Sequence, residues 1–584
     1  MSSAELRCIF PSLPRTNRGE FTVLGADPKN ENFLYCNGQN VYIRDLNNPS
    51  KCDIYSEHTK EPVVAEYSPT RFYICSGDKG GKVRIWDTIN AEHILKNEFQ
   101  VLGGMVKAVG WTPDSQKIGV GGEGREFYGK VITMDSGNTV GDPHGHSKSI
   151  NSLAFKPTRP FRMATASEDF TVQFLEGPPF KVKQALKHHS NFVNCIRYSP
   201  TGDVFISGGH DGLAVVYDGK TSEKIGTLGE KTHNGGIYGL SFSPDGKEVL
   251  TVSGDKTAKI WDVESRQNVV TFKMGENLSD MQVGCLWSGD YIMTLSLSGY
   301  INYLDRNNPS TPIRIQKGHN KTITSLVVDG TSCEAINDKS HTNQVIDMVI
   351  DGDTLITVGI DDTCRYSTIS TCQYNSKSCP LPSQPRKVSS LSENFVVVAC
   401  IKHIVVVDDG TSKFQQEVKW EPTCVDVHCN KSTVAFGSTM NEVHIFEYIG
   451  GSLTGKQKIK VEDDVINVKF SPDGAYLVVI TGSKRNIKLY SVGDNFNLVN
   501  TSSKQTGKLF SVAWCPNSQY LATGSLDGSI VVWNLNTKLH KNIEVFIREA
   551  HKKGNVQCLQ WLSNNVLLSA GNDCCIKQWN IKYE

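Results

Sequence analysis

Three sets of side chains in this sequence have the composition of a hydrolase triad: His58, Ser76 and Asp78; His233, Ser253 and Asp255; and His551, Ser569 and Asp573. A serine activated by a histidine that a buried carboxylate orients would be a nucleophile for acyl transfer. The same trio recurs along one chain, however, each time followed by a tryptophan: Trp86, Trp261 and Trp579. A catalytic centre is made once, whereas a building rule is repeated. Recurrence therefore assigns these residues to structure, as buried polar groups that pair with one another and hold a local shape.

Other chemistry-bearing patterns fail on their details. The stretch Gly450 to Gln457, GGSLTGKQ, approaches a phosphate-binding loop. Gln457 stands where a magnesium-binding hydroxyl is needed, and KIKV, an expected outer strand, follows in place of a helix. The 17 cysteines include no C-x-x-C pair. Cys574 and Cys575 are adjacent in an expected strand, where their side chains would point to opposite faces. Reduced, mostly buried thiols are expected, with no metal site and no cofactor. Lys+Arg and Asp+Glu each number 61, so no basic excess points to nucleic acid. No apolar run of membrane-spanning length occurs, and MSSAELRCIF lacks the pattern of a secretory signal. A cytoplasmic chain is the expectation.

The elements that position these residues follow from a repeat. GHSKSINSLAFKPTRPFRMATASEDFTVQFL (from Gly145), HHSNFVNCIRYSPTGDVFISGGHDGLAVVYD (from His188) and THNGGIYGLSFSPDGKEVLTVSGDKTAKIWD (from Thr232) align unit on unit. His146, His189 and His233 mark one point in each. This period, with Gly-His near the start and Trp-Asp near the end, belongs to four-stranded WD40 propeller blades. Units begin near residues 18, 57, 100, 145, 188, 232, 277, 318, 340, 384, 420, 461, 505 and 550. Their number is twice that of the common seven-bladed ring, so the fold class is all-β, two linked seven-bladed WD40 β-propellers. Closure removes strand edges that would otherwise stay unpaired.

The last unit ends at WNIKYE with nothing left for a fourth strand, and ELRCIF (Glu5 to Phe10) is unemployed. This N-terminal segment is expected to supply the missing outer strand, while TPIRIQ (Thr311 to Gln316) serves the seventh unit. The N-terminal propeller then spans 15–317. The C-terminal one spans 318–584, with 1–14 completing its last blade and tying the rings together. One place breaks the period: His319 and His341 lie half a repeat apart. ITSLVV (Ile323 to Val328) reads as a first strand and CEAIND (Cys333 to Asp338) as a possible outer strand, with the two strands between them missing. Blade eight is either drastically reduced or a segment has been lost from the sequence.

Beyond the WD pattern, PSLPRTNRG (Pro11 to Gly19), GGEGREFYG (Gly121 to Gly129), KPTRPFR (Lys156 to Arg162), EGPPFK (Glu176 to Lys181) with HSNFVNCIRYSP after it, and LATGSLDGSIVVWN (Leu521 to Asn534) are distinctive. In these the chain resembles the actin-interacting protein 1 family from end to end, the eighth unit excepted. The resemblance implies a monomeric, non-enzymatic protein of the cytoplasm and actin cytoskeleton. Its partners would be actin filaments and ADF/cofilin, and it would promote disassembly by enhancing severing and capping barbed ends, without nucleic acid or membrane. It also implies dependence on first-propeller residues, which match here at Glu126, Lys181 and Phe192. Glu168 stands where relatives carry aspartate, and Val182 where they carry an aromatic. Turn geometry adds Asp169 beside Glu168. Blade topology places second-to-third turns and the segments preceding first strands on one ring face. Glu126, Glu168, Asp169, Lys181 and Phe192 are therefore expected to form one protein-binding patch of charged and aromatic anchors. The alternative is a general WD40 scaffold, a ubiquitin-ligase substrate receptor or a trafficking coat subunit, because propellers serve many functions.

Overall fold

A computed structural model describes residues 2–49, 51–90, 92–328, 341–371, 373–392, 394–535, 543–552 and 554–583. The described residues form thirteen four-stranded antiparallel sheets and one short 3-10 helix, Leu278–Asp280. Inner strands such as Val204–Gly209 and Phe395–Cys400 are nearly continuous apolar runs and are buried on both faces. Outer strands such as Lys181–Leu186 alternate and lie mostly exposed. Hairpins of the Ser-Pro-Asp-Gly type join first to second strands. In one of them Ser243 Oγ donates to Asp245 at 2.6 Å and Gly246 adopts φ +73°, a conformation glycine takes without a Cβ clash.

The chain divides into two compact units, Pro11–Asn320 and Met1–Phe10 with Lys321–Glu584. The first holds seven sheets, here blades 1 to 7, whose innermost strands start at Gly25, Pro62, Val106, Ile150, Val193, Ile237 and Gln282. It closes where Thr22 N–H donates to Val283 O at 2.8 Å and Arg314 donates to Leu46 O at 3.1 Å. The second unit holds six sheets among its described residues. In the last of these Ser3–Phe10 pairs antiparallel with Ile576–Lys582 and forms the outermost strand. The seventh sector contains the extended segment Ile323–Val328, while CEAIND lies outside the described residues.

The repeated His, hydroxyl, Asp and Trp sets are buried networks. Trp261 Nε1–H donates to Thr251 Oγ1 at 3.0 Å, His233 Nε2 lies 2.7 Å from the same hydroxyl, and His233 Nδ1 lies 3.1 Å from Asp255. One proton arrangement satisfies all four groups: indole N–H to hydroxyl oxygen, hydroxyl to Nε2, and Nδ1–H to carboxylate. The hydroxyl here is Thr251, not Ser253 as the sequence suggested; Ser253 instead accepts from Asp255 N–H at 3.1 Å. Strand register explains the correction. The tryptophan always reaches the residue ten positions earlier, as in Trp86 to Ser76, Trp533 to Thr523 and Trp579 to Ser569. Cys574 and Cys575 are likewise moved. They lie in the turn between the last blade's second and third strands, with Cys574 at φ +61°, so strand alternation does not apply to them. The fifteen described cysteines are thiols. GGSLTGKQ is a hairpin, with Gly450 and Gly451 turning Glu442–Ile449 into Ser452–Lys460.

Replacing Thr251 with valine should destabilise the first unit by about 1–3 kcal/mol, because Trp261 and His233 lose a buried partner in a space that excludes water. Urea denaturation of the variant checks this. In the second unit burial pushes the Asp361 carboxyl up, but His341, Thr342 N–H and Thr363 outweigh it and lower it from 3.8 to about 2. Its contribution is therefore complete above its unfolded value and is lost as pH falls through about 2. The stability gap between wild type and Asp361→Asn should be widest at neutral pH and close on acidification. Hydrogen exchange of Val345–Thr368 across that range measures it.

Candidate functional site: an aromatic and charged rim on the first propeller

In the first unit each turn between second and third strands bonds back to the segment leading into the first strand. Glu123 N–H donates to Met105 O at 2.8 Å, Glu168 N–H to Ser149 O at 3.0 Å, and His210 N–H to Phe192 O at 2.7 Å. These bonds gather the loops of blades 3, 4 and 5 on one rim. Within blade 4 the Asp169 carboxylate accepts from Ser147 N–H at 2.9 Å and the Thr171 hydroxyl at 2.6 Å, and lies 2.9 Å from His146 Nδ1. Burial raises its pKa, yet the bonds from His146 and Thr171 prevail and hold it well below the usual carboxylate range. With its side chain 7% exposed, Asp169 holds the turn and has little surface to offer a partner.

The residue after that aspartate is forced into the left-handed region. Gly212 and Gly528 take φ +80° and +75° at this position, and Lys256 takes +68°. Blade 4 places Phe170 there at φ +71°, where an aromatic side chain is strained by roughly 1–2 kcal/mol. The strain projects the ring outward, 39% exposed, beside Phe192, 38% exposed. The two ring centroids are 5.6 Å apart with planes inclined by 45°. Lys148 Nζ stands 5.8 Å from one ring and 5.7 Å from the other. The Lys107 ammonium pairs with Glu168 at 2.8 Å and Glu123 at 3.6 Å, and Glu126 is exposed in the neighbouring loop of blade 3. Phe170, Lys148 and Lys107 escaped sequence reasoning. The visible signal was Asp-Phe in a turn where the next blade has Asp-Gly.

Lys181 does not join this rim. In blade 4 the outer strand meets the third at Val172↔Leu186 by the turn and at Glu176↔Lys181 by the opposite end. Four residues of strand put Lys181 about 13 Å away, toward the other face. A strand that returns to the rim must begin on the far side, which the one-sided expectation overlooked. Val182 packs inward against the cluster containing Met163, Leu175 and Phe180. Among the described residues no group of His, Cys, Asp and Glu is arranged to hold a metal, and no helix is long and apolar enough to cross a membrane.

The WD domain, G-beta repeat family matches residues 50–87, 137–174, 180–218, 222–262, 453–491, 496–534 and 542–580, in both units. Over its whole length the chain is similar to actin-interacting protein 1 of Drosophila melanogaster, with 43% identity covering 99% of this chain and 98% of the relative. WD repeat-containing protein 1 of Xenopus tropicalis is 42% identical, covering 99% and 100%. The chain belongs to the actin-interacting protein 1 family. The same protein of Mus musculus is also 42% identical over 99% and 100%. The Xenopus alignment runs over 608 positions against the 584 residues here, so the relative carries residues this family member lacks. A loss of about half a repeat in the eighth unit is in keeping with that difference.

Phe170→Gly separates fold from recognition. Glycine relieves the left-handed strain at some entropic cost, so stability should stay level or rise by no more than about 1 kcal/mol. Affinity for a ligand of this rim should fall about tenfold or more. Thermal melting and a binding titration on the same preparation measure both.

Proposed function

We propose that this chain binds actin filaments bearing ADF/cofilin and promotes their disassembly, by enhancing severing and by capping barbed ends. It does so by binding, without catalysis of its own. Relatives named for interacting with actin match it from end to end, and this supports the actin-directed reading. One structural observation carries the site: the strained, exposed Phe170 ring set against Phe192 under Lys148. A monomeric protein gains nothing by exposing two adjacent aromatic rings at the cost of backbone strain unless a ligand covers them.

In this reading the aromatic pair is the apolar anchor, and Lys148, Lys107, Glu168 and Glu126 set the charge pattern around it. Because Glu168 already pairs with Lys107, a partner cation must compete for it, which favours a ligand carrying both an apolar protrusion and mixed charges. Lys181 makes a second contact over the blade's outer edge. Asp169 acts through the turn it holds. The proposed setting is cytoplasmic, on the actin cytoskeleton.

Actin filaments, cofilin and this chain, sedimented together, test the reading. Wild type should shift actin from pellet to supernatant only when cofilin is present, and Phe192→Ala should lose most of that effect while melting like wild type. Equal pelleted actin with and without the chain, at every cofilin level, would refute the proposal. Stable association with a ligase or coat subunit in place of actin would favour the scaffold alternative.

A further inference from the structure

The seventh sector of the second unit has an innermost segment and no described sheet built upon it. Ile323–Val328 occupies an innermost strand's place. Thr324 Oγ1 donates to Val345 O at 2.7 Å, the bond that Thr423 makes to Val465 O at 2.6 Å between complete blades. On its other side Ile323 is buried against Cys558 and Ala570. Its backbone amides take part in no backbone–backbone bond among the described residues. In the next sector residues 393–421 separate one innermost strand from the following one; here the interval is only 329–344, too short for three strands and their turns.

The walls of this sector are correspondingly open. On one side Leu355, in the second strand of Val345–Pro380, is half-buried, whereas its counterparts Val396, Leu477 and Leu521 are each 0% exposed. Met348 and Ile350 beside it are half-buried too. On the other side Leu568 and Ile576 are half-buried, against 0% for their counterparts Ala522 and Ile530, and Phe10 is 53% exposed. Two apolar walls thus flank a strand edge whose hydrogen-bonding groups are unclaimed.

We propose that this wedge receives an extended segment of a partner protein, which adds to the Ile323–Val328 edge as a second strand. The geometry selects the occupant. A four-stranded blade recesses its innermost strand by three strand spacings, about 14 Å, so the edge of another folded sheet cannot reach it. A second copy of this chain, whose own edge is equally recessed, cannot pair with it either. A single slim strand can. Both walls are apolar, so the segment is uncharged and rich in β-branched residues on both faces, like the second strands it replaces.

The test uses the full chain and a fluorescein-labelled, lysine-flanked peptide carrying the Phe395–Cys400 sequence with serine for cysteine. Anisotropy should rise saturably, and hydrogen exchange at 324–328 should slow about tenfold or more on binding. Leu355→Asp and Leu568→Asp should each weaken binding about tenfold, with unchanged protection in the sheet Pro385–Glu417. Protection of 324–328 in the chain alone, absence of slowing with peptide, equal binding by both variants, or pairing of copies in sedimentation equilibrium would each overturn the proposal.

Discussion

A buried imidazole must find partners for both ring nitrogens, and that requirement organises each blade in which it occurs. In blade 6, His233 spans from the first strand's approach to a second-strand hydroxyl and a turn carboxylate, and Trp261 adds the third strand to the same hydroxyl. Four polar groups from separate segments are satisfied only in one relative register. A one-residue slip of either strand would turn Thr251 or Trp261 to the other face and leave buried donors unpaired. The network is thus worth more as a specifier of register than as a sum of hydrogen bonds. The blade starting at Leu509 shows how chemical the rule is. Gln505 replaces histidine there, and its carbonyl accepts from Thr523 at 2.8 Å while Trp533 donates to the same threonine. What persists is a bridging hydroxyl with partners on both sides, not the imidazole.

The same network reaches the surface. Fixing the turn carboxylate fixes the residue after it in the left-handed region, whatever that residue is. In most turns the position is filled cheaply by glycine or a flexible lysine. In blade 4 it is filled by phenylalanine, and the bonds from His146, Ser147 and Thr171 to Asp169 supply the rigidity that keeps the strained ring in place. Recognition and folding are therefore coupled through one carboxylate: its outer neighbour makes the contact, and its own charge is spent inward. This is why Asp169 could be read from sequence as part of the patch and yet stand behind it.

Periodicity made the fold class legible, because repeated histidine, turn and tryptophan marks report a register shared by every blade. The site was only partly legible. Glu126, Glu168 and Phe192 were found because loops at equivalent repeat positions must share a rim. Lys181 was misplaced because its strand runs toward that rim and so begins at the opposite one. Ser253 was preferred to Thr251 because two hydroxyl residues of like spacing lie on the same strand, and only the ten-residue step from the tryptophan discriminates them. Phe170 and Lys148 were invisible for a different reason. Their meaning lies in a ring-to-ring distance across two blades and in a backbone angle, neither of which any local pattern states.

The second unit shows what the repeat does and does not demand. Blade-to-blade adhesion is carried by innermost strands, and Thr324 reproduces the bond by which one sector grips the next. A sector reduced to that strand therefore still transmits the ring's continuity. It cannot cover its neighbours' faces, and half-buried Leu355 and Leu568 are the consequence. Closure of a propeller is thus two separable conditions, an unbroken inner circle of strands and a filled set of faces. This chain meets the first within itself. The second leaves apolar surface and unpaired amides in the same recess, and burying the one without pairing the other would forfeit much of the gain. Whatever fills the recess must do both at once, which only a strand achieves.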